Sequence, residues 1–337
     1  MTQLPDFVNA LLKPDAYTER PETIDLIQTQ MSFVFVTPEF AYKIKKPVNL
    51  GYLDYTSLEK RRFFCQKELQ LNRRLCPETY LGVMAITKYQ GVISFGWQGE
   101  IIEYAVKMRH LPQNAMLDVL LKNDRVSKEM VQQIAQKLAA FHERAATNAE
   151  ISKFGSLEAV KINTEENFSQ TERYIGNTIT ESQYNNIKRN TDNFMLSHTE
   201  LFNQRIESGN IKDCHGDLHA AHICFTNGIC IYDCIEFNDR FRYSDTASEI
   251  AFLAMDIDRY GYSGLSQYFV DAYVEFSKDE TLRNSLNFYK CYRAYVRGKV
   301  ESFKLDDPLI EDSDKAETLL AARRYFELAE SYLINEE

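Results

Sequence analysis

An HGD triplet at residues 215–217 and an IYDCIEF segment at 231–237 hold the residues of this chain best suited to chemistry. Both fall in the run from Cys214 to Asn238, which reads as a short β-hairpin with His222 between the two acidic positions. A carboxylate at Asp217 can orient an attacking hydroxyl and accept its proton. A carboxylate at Asp233 can hold Mg²⁺ against the phosphates of a nucleotide. The spacing therefore points to metal-dependent phosphoryl transfer, and it leaves open what receives the phosphoryl group.

Such a pair needs a scaffold, and the flanking sequence alternates in a way that supplies one. Leu4–Leu12 reads as a short amphipathic helix stopped by Pro14, followed by the strand-like SFVFV and FAYKIKKPV. In AYKIK the apolar–Lys alternation sends Lys43 and Lys45 to the same side of a strand, so either could meet phosphate. Ser57–Leu75 changes to helical periodicity with Ser57 as its cap, and places Glu68 within reach of that strand. YLGVMAITKY, GVISFGW and IIEYAVKMRHL complete an antiparallel sheet, and HLPQN reads as a connection. Helical patterns dominate the rest, including one beginning near Asp245. The fold class expected is α+β, a small β-rich N-terminal lobe and a large helical C-terminal lobe. The divisions are residues 1–24, a helical extension; 25–110, a nucleotide-binding lobe; and 111–337, a catalytic and acceptor-binding lobe.

Composition narrows the function. With 39 Lys plus Arg against 49 Asp plus Glu the formal charge is −10, which disfavours general nucleic-acid binding. Seven scattered cysteines do not resemble a disulfide framework, and the N-terminal MTQLPDFVNALLKPD lacks a basic, long apolar leader. No apolar run approaches the roughly 18 residues of a membrane helix. A reducing cytoplasm is the expected location.

HGDLHAAHI resembles the Brenner-type catalytic loop of aminoglycoside phosphotransferases and related kinase-like small-molecule kinases. IYDCIEF resembles their metal-binding segment, and AYKIK their nucleotide-contacting strand. The match covers roughly residues 30–255 and is nearest the gluconate-kinase branch of that group. The resemblance implies a bilobal protein-kinase-like fold, with ATP and Mg²⁺ between the lobes and a small hydroxyl-bearing molecule as acceptor. It assigns Asp217 as the catalytic aspartate, His215 as support for its loop, Asp233 as the magnesium ligand, and Lys43 with its partner Glu68 to the ATP phosphates. Ser32 is a further phosphate contact, and the stretch from Met108 to Leu111 would meet adenine. Asp245 would brace the catalytic loop from the next helix. His222 departs from the family pattern, which has Asn there. It either binds metal or shapes the loop while water or Glu236 completes the coordination. His219 reads as a loop-stabilising residue. Arg240, Arg242, Arg293, Arg297 and Lys299 offer positive charge to an anionic acceptor, or form a solvated helix surface.

Three other readings compete. A nucleotide-binding, pseudokinase-like regulatory protein would explain His222. A protein kinase is weakened by QTQMSFVFVTPE, which lacks a glycine-rich loop. A zinc module built on CHGDLHAAHIC, Cys230 and Cys234 lacks paired CxxC knuckles.

Overall fold

A computed structural model describes residues 4–226, 228–307, 310 and 312–333. It divides into two compact units, one of residues 1–119 with 221–239, the other of residues 120–220 with 240–337. The class is the expected one: α+β, bilobal and protein-kinase-like, with a sheet-based unit and a helical unit.

The first unit begins with α1 (Asp6–Leu11), which buries Val8 and Leu11. Its sheet holds β1 (Asp25–Gln28), β2 (Ser32–Val36), β3 (Phe40–Lys45), β4 (Tyr80–Tyr89), β5 (Val92–Phe95) and β6 (Glu100–Arg109) in the antiparallel order β1-β2-β3-β6-β4-β5. The two-residue period decides what each face carries. Phe33, Phe35, Tyr42 and Ile44 enter one core with Val8, Leu11 and Tyr17. Lys43 and Lys45 consequently turn to the other face. There α2 (Leu58–Asn72) lies, capped by Ser57, whose hydroxyl accepts from the Lys60 amide. Its Cys65 and Leu69 join Tyr80, Tyr104 and Val106 in a second core.

The cysteine reading needs correction. Cys76, just beyond α2, forms a disulfide with Cys230, while Cys65, Cys214, Cys224, Cys234 and Cys291 are buried thiols outside any disulfide. The partners are 154 residues apart, so spacing along the chain carried no sign of the pairing.

The second unit takes the second half of α3 (Leu117–Lys122), then α4 (Lys128–Arg144), α5 (Ala149–Ser152), α6 (Leu157–Thr171), α7 (Glu181–Ser197), α8 (Thr199–Glu207) and β7 (Ile211–Asp213). The polar stretch from 166 to 208 is thus helical in substantial part, and a capping box at Thr180 and Gln183 starts α7. The hairpin β8 (Ile223–Phe225) and β9 (Ile229–Ile231) belongs to the first unit. The chain then runs through α9 (Asp239–Arg242), β10 (Tyr243–Asp245), α10 (Thr246–Arg259), α11 (Ser263–Ser277), α12 (Leu286–Lys304) and α13 (Asp312–Ser331). Helix α10 is buried along nearly its whole length, from Thr246 to Ile257, and its Phe252 and Met255 pack with Phe168, Ile187, Tyr295 and Phe326. Antiparallel pairing of β7 with β10 ties the start of α10 to the start of the HGD loop.

Candidate active site

In the first unit five charged side chains from three places in the sequence converge. Lys43 Nζ lies 2.6 Å from Asp233 Oδ1 and 3.0 Å from Glu68 Oε1, the latter an ion pair without hydrogen-bond alignment. Lys45 Nζ donates to Glu68 Oε2 at 2.7 Å and to Glu236 Oε1, which also accepts from the Tyr55 hydroxyl at 2.6 Å. Glu68 therefore stands between two ammonium groups. The lysines differ in access: the Lys45 side chain is 1% exposed and that of Lys43 18%. Burial alone would pull both lysines down. For Lys43 the attraction of Asp233 and then Glu68 prevails, and for Lys45 that of Glu236 and then Glu68, so both are held well above the usual lysine range. Burial likewise opposes ionisation of Glu236, but Lys45 and Lys43 keep its carboxyl below the ordinary value.

Asp233 sits in left-handed backbone, φ +62°, a conformation that Asp tolerates better than most residues. Its amide donates to the Tyr80 hydroxyl at 3.2 Å, and the next amide, of Cys234, donates to Asn72 Oδ1 at 2.9 Å. Tyr80 and the end of α2 thus hold this turn against the sheet. The Asp233 side chain is 39% exposed, so it can offer oxygen to a cation. Its Oδ2 lies 3.6 Å from His222 Nε2, which puts a nitrogen donor beside it. A carboxylate completed by phosphate oxygens and water suits Mg²⁺. Glu236 is differently placed from the expected metal ligand: buried, it is committed to Lys45 and Tyr55.

Two further expected nucleotide contacts lie within the sheet. Ser32 is buried in β2, and its amide donates to Thr29 Oγ1 at 3.0 Å. Met108 lies within β6, paired with Ala41 and Tyr80, while the Arg109 and His110 amides donate to Thr79 and Glu39 carbonyls.

In the second unit the HGD loop is gripped from α10. Glu249, fully buried, accepts from the His215 and Gly216 amides, each at 2.7 Å, and lies 2.7 Å from His142 Nε2. Burial would raise its carboxyl, but the hydrogen bond from His142 and the other donors lower it to about 2. Gly216 has φ +89°, where a side chain would be strained, and its carbonyl accepts from Arg293 at 3.3 Å. The His215 ring accepts the Asp217 amide through Nδ1 at 3.3 Å, which makes it a support of the loop backbone. The Asp217 side chain remains 33% exposed, with His219 Nε2 3.6 Å from its Oδ2. At the far end of the loop Ala220 donates to Asp256 Oδ2 at 2.9 Å.

Asp245, expected to brace the HGD loop, does otherwise: it caps α10 through the Ala247 amide and forms a buried ion pair with Arg205. Glu249, one turn further along, faces the loop amides instead. Glu249 and Asp256 were missed in the sequence. Their signal was two carboxylates seven residues apart at either end of the apolar run IAFLAM, in EIAFLAMD. The basic residues proposed for an anionic acceptor are largely engaged within the fold. Arg242 pairs with Asp213, Arg240 with Glu166, Arg293 with Ser248, and Lys299 with the side-chain oxygens of Asn167 and Gln170. Arg293 is buried and is no solvated surface residue.

The fold is that of the aminoglycoside phosphotransferases and choline kinases. A choline/ethanolamine kinase family protein from Mesorhizobium loti superposes with a TM-score of 0.54 at 9% identity, covering 97% of this chain and 99% of that one. An aminoglycoside phosphotransferase from Alicyclobacillus acidocaldarius gives 0.50 at 12% identity, over 99% and 96%. No family model matches the chain. In sequence it is 32% identical over 279 residues to the uncharacterized proteins Rv2004c of Mycobacterium tuberculosis and Mb2027c of Mycobacterium bovis. That match takes 82% of this chain and spans about half, 54%, of those relatives. No helix among the described residues is long and apolar enough to cross a membrane.

Proposed function

We propose that this chain is an ATP- and Mg²⁺-dependent phosphotransferase acting on a hydroxyl of a small molecule. The observation that carries the reading is the ion contact of Lys43 with both Glu68 and Asp233, which gathers a strand, a helix and the turn after β9 into one charged cluster, a cation for phosphate beside a carboxylate for Mg²⁺. In this reading Lys43 meets the ATP phosphates and Glu68 orients it. Asp233 holds Mg²⁺, with His222 beside it, and the ion neutralises charge on the phosphates. Asp217, presented on a loop fixed at both ends, orients the acceptor hydroxyl and receives its proton. ATP as donor places the reaction in the cytoplasm. The gluconate-kinase branch resembled by the sequence makes polyhydroxylated acids the first acceptors to try. A second reading, a nucleotide-binding regulatory protein, draws on His222, a nitrogen donor where Mg²⁺ prefers oxygen.

The test is a panel of hydroxylated metabolites with radiolabelled ATP, using wild type, Asp217→Asn and Asp233→Ala with folding and nucleotide binding measured alongside. Wild type should transfer label to an acceptor. Asp217→Asn should fold, bind ATP and lose transfer by about 10²-fold or more. Asp233→Ala should lose the Mg²⁺ dependence of nucleotide binding. Nucleotide binding without transfer across the panel would favour the regulatory reading, and equal transfer by Asp217→Asn would reject the role of Asp217.

A further inference from the structure

Helix α10 carries two buried carboxylates on one face. Glu249 and Asp256 are seven residues apart, two turns and about 10 Å along the axis. They take opposite ends of the same loop: Glu249 the amides of His215 and Gly216, Asp256 the amide of Ala220. Asp256 is 4% exposed, and its other oxygen accepts from Arg259 Nε at 2.8 Å. Ala220 and Arg259 account for its hydrogen bonds, but its charge reaches further. It acts electrostatically on His219 and on Arg297 of α12, and the same two groups act on Asp217: His219 Nε2 lies 3.6 Å from its Oδ2, and Arg297 attracts it at longer range.

We infer that Asp256 is a positioning residue for Asp217: it fixes the C-terminal end of the 215–220 loop through Ala220 and orients the basic groups that flank the Asp217 carboxylate. The functional half of this inference rests on the reading of Asp217 as the group that orients the acceptor. An amide at this position keeps an oxygen for Ala220 and removes the charge that Arg259, His219 and Arg297 meet. The two contributions can therefore be separated by substitution. Loss of the acceptor frees the loop. Loss of the charge alone leaves the loop in place and lets the groups around Asp217 turn away.

The experiment compares the full chain as wild type, Asp256→Asn and Asp256→Ala. Three quantities are read: hydrogen exchange of peptides covering 215–222, binding of MgADP, and phosphate release from radiolabelled MgATP with water as acceptor. Asp256→Ala should raise exchange at Ala220 by about tenfold or more while exchange in α12 and the sheet stays at the wild-type level. Asp256→Asn should keep loop exchange within about threefold of wild type. It should lower kcat for phosphate release by about tenfold, with KM for MgATP and the Kd for MgADP unchanged. Wild-type exchange at Ala220 in Asp256→Ala would overturn the anchoring. Wild-type kcat in Asp256→Asn would overturn the effect on Asp217. A wild-type protein that binds MgADP but neither releases phosphate nor transfers label across the acceptor panel would instead reject the phosphotransferase reading, and the exchange arm would still decide the anchoring.

Discussion

Replacing Lys45 by Met separates the two lysines of β3 by what each loses. Lys45 lies buried between Glu68 Oε2 and Glu236 Oε1, with the Tyr55 ring under its ammonium at 4.8 Å from the centroid. Removing it leaves two buried carboxylates, of which only Glu68 keeps an ion pair, with Lys43, while Glu236 keeps the Tyr55 hydrogen bond and the more distant charge of Lys43. Breaking a buried pair in this way costs about 3–5 kcal/mol, because the stranded charge is neither hydrated nor neutralised. With a urea slope of about 3 kcal/mol per molar, the unfolding midpoint of the first unit should fall by at least about 1 M. The transition is read by circular dichroism, since the single tryptophan, Trp97, is already exposed in the folded protein. Lys43→Met behaves differently. Its partner Asp233 is partly exposed and can be hydrated, while Glu68 retains Lys45, so the midpoint should move by less than about 0.5 M. ATP affinity should fall by about tenfold or more in Lys43→Met, measured by calorimetry on the folded protein. A Lys45→Met protein of wild-type stability would refute the argument. So would a selective ATP defect in Lys45→Met with normal binding by Lys43→Met, which would move the phosphate contact to Lys45.

Three further outcomes follow from the same structure. Alkylation of the unfolded, unreduced protein should label the five cysteines outside the disulfide and spare Cys76 and Cys230, and labelling of all seven would disprove the bridge. Closing a loop of 154 residues restricts the unfolded chain by up to about 5 kcal/mol, so Cys76→Ser should lower the Tm, whereas a Tm unchanged by both Cys76→Ser and reductant would contradict this. The Glu249 carboxyl is depressed to about 2 in the folded state and titrates near 4.3 when unfolded, so its stabilisation is complete above that value and drains away as the pH falls towards 2. Glu249→Gln should therefore be less stable than wild type at neutral pH, and the gap should close between about pH 4.3 and 2; parallel stability curves across that window would refute the linkage.

Much of the fold was legible because local physics produced it. The period-two pattern of SFVFV and AYKIK became β2 and β3, the Ser57 cap began α2, and the apolar runs after Ser244 became α10 to α12. Alternation also placed Lys43 and Lys45 on one face, and the HGD triplet named the loop whose glycine needs a positive φ. Their different environments were beyond its reach. Which lysine is sealed under Glu236 and Tyr55, and which reaches Asp233, depends on a turn some 190 residues away. The Cys76–Cys230 bridge and the transfer of loop bracing from Asp245 to Glu249 share that cause. Sequence pattern reports how a segment divides its own faces between water and core. The partner of a buried charge or thiol is chosen by chain segments that meet only on folding, where burial makes an unpaired group costly and so selects the pairing.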